Sequence, residues 1–187
     1  MNDHFALLGQ PRRPWLDREV LKEAFHRRSA ELHPDVPTTG DAARFAELNA
    51  AFTVLRDPAA RLRHLLELTV SDSVIGHAPP PAELGEFFMR FGSLKQRVNA
   101  LSAKHAAAGS PLSRALLAGE EAALRHEVTT IRHDLSSALA VAEKELRSLD
   151  ENWGEAGIGD LARLYQRFAY LGRWLEQAAE AALRWEK

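Results

Sequence analysis

Three stretches in the second half of the chain place apolar residues at alternating steps of three and four. The first runs through Leu84, Phe87, Phe91, Leu94, Val98 and Leu101. The second runs through Leu124, Val128, Ile131, Leu135, Ala138, Ala142, Leu146 and Leu149. The third runs through Leu161, Leu164, Phe168, Leu171, Leu175, Ala178, Ala182 and Trp185. Such a stripe lies along one face of an α-helix. It cannot line one face of a strand, where side chains alternate with a period of two. Each stripe is narrow enough to be the seam of a helix packed on other helices. Ala, Leu, Glu and Arg are abundant and β-branched residues scarce, which also favours helix. No alternating run or hairpin turn interrupts this pattern. An all-α fold is expected, with residues 82–187 forming an antiparallel three-helix bundle joined by short loops. A Gly/Ala loop around Lys104–Gly119 is expected to lengthen that bundle.

The first 70 residues are built differently. Asp3 to Gly9 reads as one helical turn ended by glycine. Asp17 is a good N-cap for a helix reaching Leu32, with Leu21, Phe25 and Leu32 on one face. Pro34 and Pro37 end it. Asp41 caps a second helix to about Leu55, whose seam is Phe45, Leu48, Phe52 and Leu55. Asp57-Pro58 starts a further short helix, since proline suits the first helical position. The two longer helices form an antiparallel hairpin with residues 33–40 at its tip. Ser71 to Pro81 (SDSVIGHAPPP) is the most polar and proline-rich stretch and the expected linker. The division is therefore 1–70, a linker at 71–81, and 82–187.

Composition removes whole classes of chemistry. The chain has 187 residues, no cysteine and a net charge of −2. Disulfides, thiolate metal sites and cysteine nucleophiles are excluded. There is no general basic field for nucleic acid or an anionic membrane, so neither is an expected partner. No apolar run approaches the ~18 residues of a membrane span. The opening segment lacks the apolar core and small-residue cleavage site of a signal peptide, and a cytoplasmic protein is expected. His126 and His133 are seven residues apart, too far for one ion, and no H-x-x-x-H pattern occurs. No metal and no cofactor are expected. Phosphate loop, nucleophile elbow and dinucleotide fingerprint are absent, so the chain is not expected to be an enzyme.

The most informative residues are His33, Pro34 and Asp35 at the hairpin tip. Pro34 fixes its own φ and disfavours helix at His33. Asp35 can accept from backbone amides or a partner arginine. By themselves these residues serve an interhelical turn equally well. Their surroundings point further. Asp3-His4-Phe5 with Leu7-Leu8-Gly9, the run Leu21 to Arg28, the tripeptide, Phe45 to Pro58 and Arg61 occur in the order found in one family. From about Asp3 to Leu68 the chain resembles the J-domain of DnaJ-type co-chaperones. The resemblance implies contact with an ATPase chaperone of the DnaK or HscA type and acceleration of its ATP hydrolysis. The contact residues it implies are His33, Pro34 and Asp35, with Lys22, His26 and Arg27 as a steering basic face.

The remaining layout narrows the resemblance. No Gly/Phe-rich segment and no cysteine-rich region follows the first block. A short J-domain, a proline-rich joint and a helical bundle are similar to the HscB/Jac family of iron–sulfur cluster assembly. Phe5 to Pro11, Arg61 to Leu68, Phe87-Phe88-Met89 and Tyr170-Leu171 carry the local likeness. It implies an IscU-type scaffold as client, bound through Phe88, Met89, Gln96 and Tyr170. Phe88 and Met89 fall off the apolar seam, which suits binding anchors and also the widened edge of a core face. Two readings outside cluster assembly stay open: a J-protein with a different client, and a bundle acting as an adaptor or dimerisation element.

Overall fold

A computed structural model of the chain describes residues 2–31, 42–69, 81–154 and 157–183. All regular structure among them is helical, as expected. The elements are α1 (His4–Leu7), α2 (Arg18–Glu31), α3 (Ala42–Arg56), α4 (Pro58–Thr69), a 3₁₀ turn (Ala82–Leu84), α5 (Gly85–Ala107), α6 (Pro111–Glu151) and α7 (Ile158–Leu183). None of the described helices is long and apolar enough to cross a membrane.

The helix starts follow the predicted caps. The Asp17 carboxylate accepts from the amides of Glu19 and Val20 at 2.9 and 3.1 Å. Asp57 accepts from the Ala60 amide at 2.7 Å, one residue ahead of Pro58. Asp3 accepts from the Phe5 and Ala6 amides. Gly9 leaves α1 with φ +62°, a left-handed conformation that glycine adopts without steric cost. Asp41, the expected cap of α3, and the expected linker at 71–80 lie outside the described residues.

Contacts divide the chain into two compact units. One contains residues 1–78 and 143–168, the other 79–142 and 169–187. Residues 143–168, placed with the bundle by their sequence pattern, therefore group with the N-terminal helices. In that unit α3 packs against α1, α2 and α4. Phe5, Leu8, Leu21, Ala24, Leu48, Ala51, Leu55, Leu62, Leu65 and Leu66 are buried there. Leu146, Leu161, Leu164 and Phe168 are buried in the same unit. Phe45 departs from the expected seam: its ring is 44% exposed while Leu48 and Leu55 are buried. It stands at the start of α3, and a/d spacing by itself does not fix how far the contact surface extends.

The second unit has one apolar core. Leu84, Phe91, Leu94, Val98 and Leu101 meet Leu124, Val128, Ile131 and Leu135, closed by Leu171, Trp174 and Ala178. The first stripe is thus buried along α5 as predicted, with Phe87 partly buried at its edge. Trp185 lies outside the described residues. The expected loop over Lys104–Gly119 is a correction: α5 runs to Ala107 and α6 begins at Pro111. Alanine and leucine outweigh the single Gly119 there, and Pro111 opens α6 where proline is tolerated.

Candidate functional site

The residues expected to meet a chaperone start on α2. Leu21 and Ala24 bury one face of that helix. Lys22, His26 and Arg27 are exposed on the remainder. Lys22 lies 4.0 Å from Glu19, a long and exposed pair that leaves the ammonium largely to solvent. The His26 ring lies beside Phe25, which in turn stacks on Phe52 of α3 at 4.5 Å. His33, Pro34 and Asp35 follow the last residue of α2 in sequence and lie outside the described residues.

The base of this unit is held by polar side chains that hydrophobic patterning does not reveal. Arg61 is buried and donates to the Pro14 carbonyl at 2.8 Å and to the Leu55 carbonyl at 2.6 Å. Burial lowers its pKa to about 10, so it keeps its charge at neutral pH. His64 is buried on α4, stacks on Phe5, and accepts from the His4 backbone amide at 3.1 Å. That bond requires a neutral imidazole. Burial, and then the neighbouring His4, push the His64 pKa below its ordinary value. Burial also works to raise the Asp3 carboxyl, but Arg12 at 2.7 Å and the α1 amides outweigh it and hold the pKa low.

A second clasp ties residues 12–15 to the α6–α7 turn. Arg13 donates to the Asp150 side chain at 3.2 Å and to its carbonyl at 2.6 Å. The Trp15 amide donates to the same carboxylate at 3.2 Å. The Trp153 indole donates to the Arg12 carbonyl at 3.0 Å. Arg147 lies over the Trp15 ring at 5.2 Å.

In the bundle unit, the expected client residues do not all lie alike. Phe88 is 53% exposed and Met89 71% exposed. Gln96 is exposed, whereas Tyr170 is half-buried against the core. The structure brings Phe88 and Tyr170 to a common neighbour, Trp174, at 6.4 and 5.6 Å between ring centroids. Phe91 stacks on the same indole from within the core at 6.2 Å. Trp174 was missed by the sequence reading, because it stands one residue before Leu175 on the stripe. A cleft of about 220 Å³ opens between α5 and α7, walled by Phe91, Leu94, Val98, Ala178 and Ala181. Exposed aromatic and thioether groups beside such a cleft suit reversible protein contact more than bond-making chemistry. No cluster of three or more metal-ligating side chains occurs among the described residues.

Comparison with known proteins agrees with this arrangement. Residues 3–64 match the family model of the DnaJ domain. This chain carries a J-domain. Beyond the J-domain, the chain is similar to HscB co-chaperones. A co-chaperone HscB homolog of Azoarcus sp. is 36% identical over 80 residues, 39% of this chain and 45% of that protein. Such alignments, which include one to the Bordetella avium homolog at 37% identity, span under half the length of the relatives they match. The HscB homolog of Aromatoleum aromaticum aligns over 96% of this chain and 94% of its own length, at 27% identity. Chaperone HscB from Vibrio cholerae shares the fold, with a TM-score of 0.53 at 18% identity, covering 96% of each chain. The J-domain match takes in α1, α2, α3 and the first half of α4. The full-length alignment extends the likeness through the bundle.

Proposed function

We propose that the protein is a co-chaperone of iron–sulfur cluster assembly. In this reading its J-domain stimulates ATP hydrolysis by a DnaK- or HscA-type chaperone, of the 70-kDa heat-shock class. Its bundle presents an IscU-type scaffold to that chaperone. The chain itself makes and breaks no bonds in this reading, and it works in the cytoplasm. His33, Pro34 and Asp35 make the productive contact. Lys22, His26 and Arg27 steer the encounter, because complementary charge raises association rates more than affinity. Phe88 and Met89, with Tyr170 and Gln96 at the margin, anchor the client.

The observation that carries the reading is the pairing of two features on one chain. A J-domain match covers residues 3–64, and an aromatic–methionine surface stands open on α5, within the length that aligns with HscB homologs. A J-domain alone would support stimulation of a chaperone but would leave the client undefined.

The test is ATP hydrolysis by a DnaK-type chaperone in the presence of this protein, with and without an IscU-type scaffold. Stimulation is expected, to be lost in His33→Gln, and to be amplified by the scaffold. The amplification, but not the basal stimulation, is expected to disappear in Phe88→Ala/Met89→Ala. Stimulation without scaffold synergy would retain the J-domain role and remove the client. Absence of stimulation by any such chaperone would overturn the reading as a whole.

A further inference from the structure

At the N-terminal end of α2, the end opposite the one that leads to the tripeptide, two hollows adjoin in the N-terminal unit. The first, of about 160 Å³, lies among Trp15, Leu16, Arg61, Leu146 and Arg147. The second, of about 560 Å³, is walled by Leu21, Lys22, Phe52 and Thr53. Arg18, Glu19, Arg56 and Pro58 line both, so the two make one cleft. It is many times the ~30 Å³ that a water molecule takes up.

The charges in this cleft are unevenly committed. Its acids are all engaged locally. Asp17 caps α2 and Asp57 caps α4. Glu143 faces Arg147 at 3.4 Å, and Glu19 lies 4.0 Å from Lys22. Arg18 and Arg56 have no carboxylate at ion-pair distance among the described residues, and Arg56 rests on the Phe52 ring at 5.8 Å. Arg61 beneath them spends its donors on two carbonyls, so its positive charge is not cancelled by contact with an acid. Two open guanidiniums therefore flank a cleft whose walls are partly apolar, in a chain that is net negative.

We propose that this cleft is a docking groove for an acidic peptide segment. Its carboxylates pair with Arg18 and Arg56, and an adjoining apolar side chain lies between Leu21 and Phe52. A guanidinium fork matches a carboxylate in two parallel hydrogen bonds. A free phosphate would satisfy the arginines but leave the apolar wall unused. A nucleic acid strand would bring its dense phosphates against Asp17, Glu19, Asp57 and Glu143. A peptide that alternates acidic and apolar residues fits both parts of the wall. The groove is separate from the tripeptide, and the proposal does not depend on which chaperone or client the protein serves.

The test uses the full chain and a fluorescein-labelled hexapeptide, DELFDE, followed by fluorescence anisotropy. The amide analogue NQLFNQ is the control. Arg18→Gln/Arg56→Gln removes the charges, and Arg18→Lys/Arg56→Lys keeps them but loses the fork. Both exposed sites leave the helices intact, which circular dichroism checks. The acidic peptide is expected to bind and the amide analogue not to. The Gln pair is expected to weaken binding by about tenfold or more, with the Lys pair in between. Binding is also expected to fall as salt is raised. Equal binding of the two peptides, unchanged binding in the Gln pair, or no binding up to millimolar peptide would each overturn the proposal. Full displacement of the peptide by low-millimolar inorganic phosphate would overturn the peptide assignment in favour of a simple oxyanion site.

Discussion

The buried polar and charged residues among those described are Arg61, His64, Asp150 and Arg167, and all four belong to the N-terminal unit. The core of the bundle unit is apolar throughout and keeps its charges at the rim. Arg90 pairs with Asp134 at 2.8 Å, Arg97 with Glu127 at 2.5 Å and Lys104 with Glu120 at 2.7 Å, all on the surface. The contrast follows from element length. Helix α5 has 23 residues and α6 has 41, enough to carry a continuous apolar seam. Helices α1 to α4 have 4, 14, 15 and 12 residues. Elements that short leave carbonyls and loop segments facing inward, and those groups need donors. Arg61 and His64 supply them. One unit is specified by area, the other by direction as well.

The largest effect is expected in the bundle. Leu135→Ala or Leu101→Ala deletes a side chain with no exposure at all, and should cost about 3 kcal/mol in denaturant unfolding. Next comes Arg61→Met, which keeps most of the volume but strips the donors from the Pro14 and Leu55 carbonyls. A loss of about 2 kcal/mol is expected. A neutral result would break the contrast, because it would mean that packing alone holds the N-terminal unit, as hydrophobic replacements of buried charges sometimes do.

Acid should separate the two units more gently. His64 is neutral in the fold and its pKa is lowered, so the unfolded chain binds its proton more readily. Its contribution is complete above the ordinary histidine value of about 6.5 and declines as pH falls below it. Melting followed between pH 7.5 and 5 should show this decline, and His64→Phe should flatten that part of the profile. An unaltered profile in the variant would assign the acid sensitivity elsewhere. The smallest effect belongs to the bundle rim. Arg97→Ala removes an ion pair between half-exposed side chains and should change stability by about 0.5 kcal/mol or less. A larger loss would show that rim charges carry more of the bundle than its seam suggests.

The bundle was legible in sequence because its stability rests on apolar spacing, which the residue order displays directly. Leu94, Val98, Leu124 and Leu135 are buried where the stripe puts them. Phe45 and Phe88 show how far spacing reaches. Phe45 sits on a seam position and Phe88 off one, yet both rings are about half exposed. The Lys104–Gly119 loop was misread because two glycines and a proline drew more weight than the alanines between them. The caps at Asp17 and Asp57 were legible, since a cap acts on amides two or three residues away. Arg61 and Asp150 were not, because their partners come from 47 and from more than 130 residues away along the chain. Of the candidate site, Phe88, Met89 and Tyr170 were visible as residues. Their shared neighbour, Trp174, emerged only once the helices were packed.

Helices α6 and α7 each change unit partway along, after Ala142 and after Phe168. No single cut in the chain can therefore release the N-terminal unit whole. A fragment ending near residue 70 would leave the Arg13 guanidinium and the Trp15 amide without the Asp150 carboxylate, and the Arg12 carbonyl without the Trp153 indole. In this protein the J-domain is not a portable cassette. A chimera that transplants it must carry residues 143–168 along, or replace them with something that offers the same carboxylate.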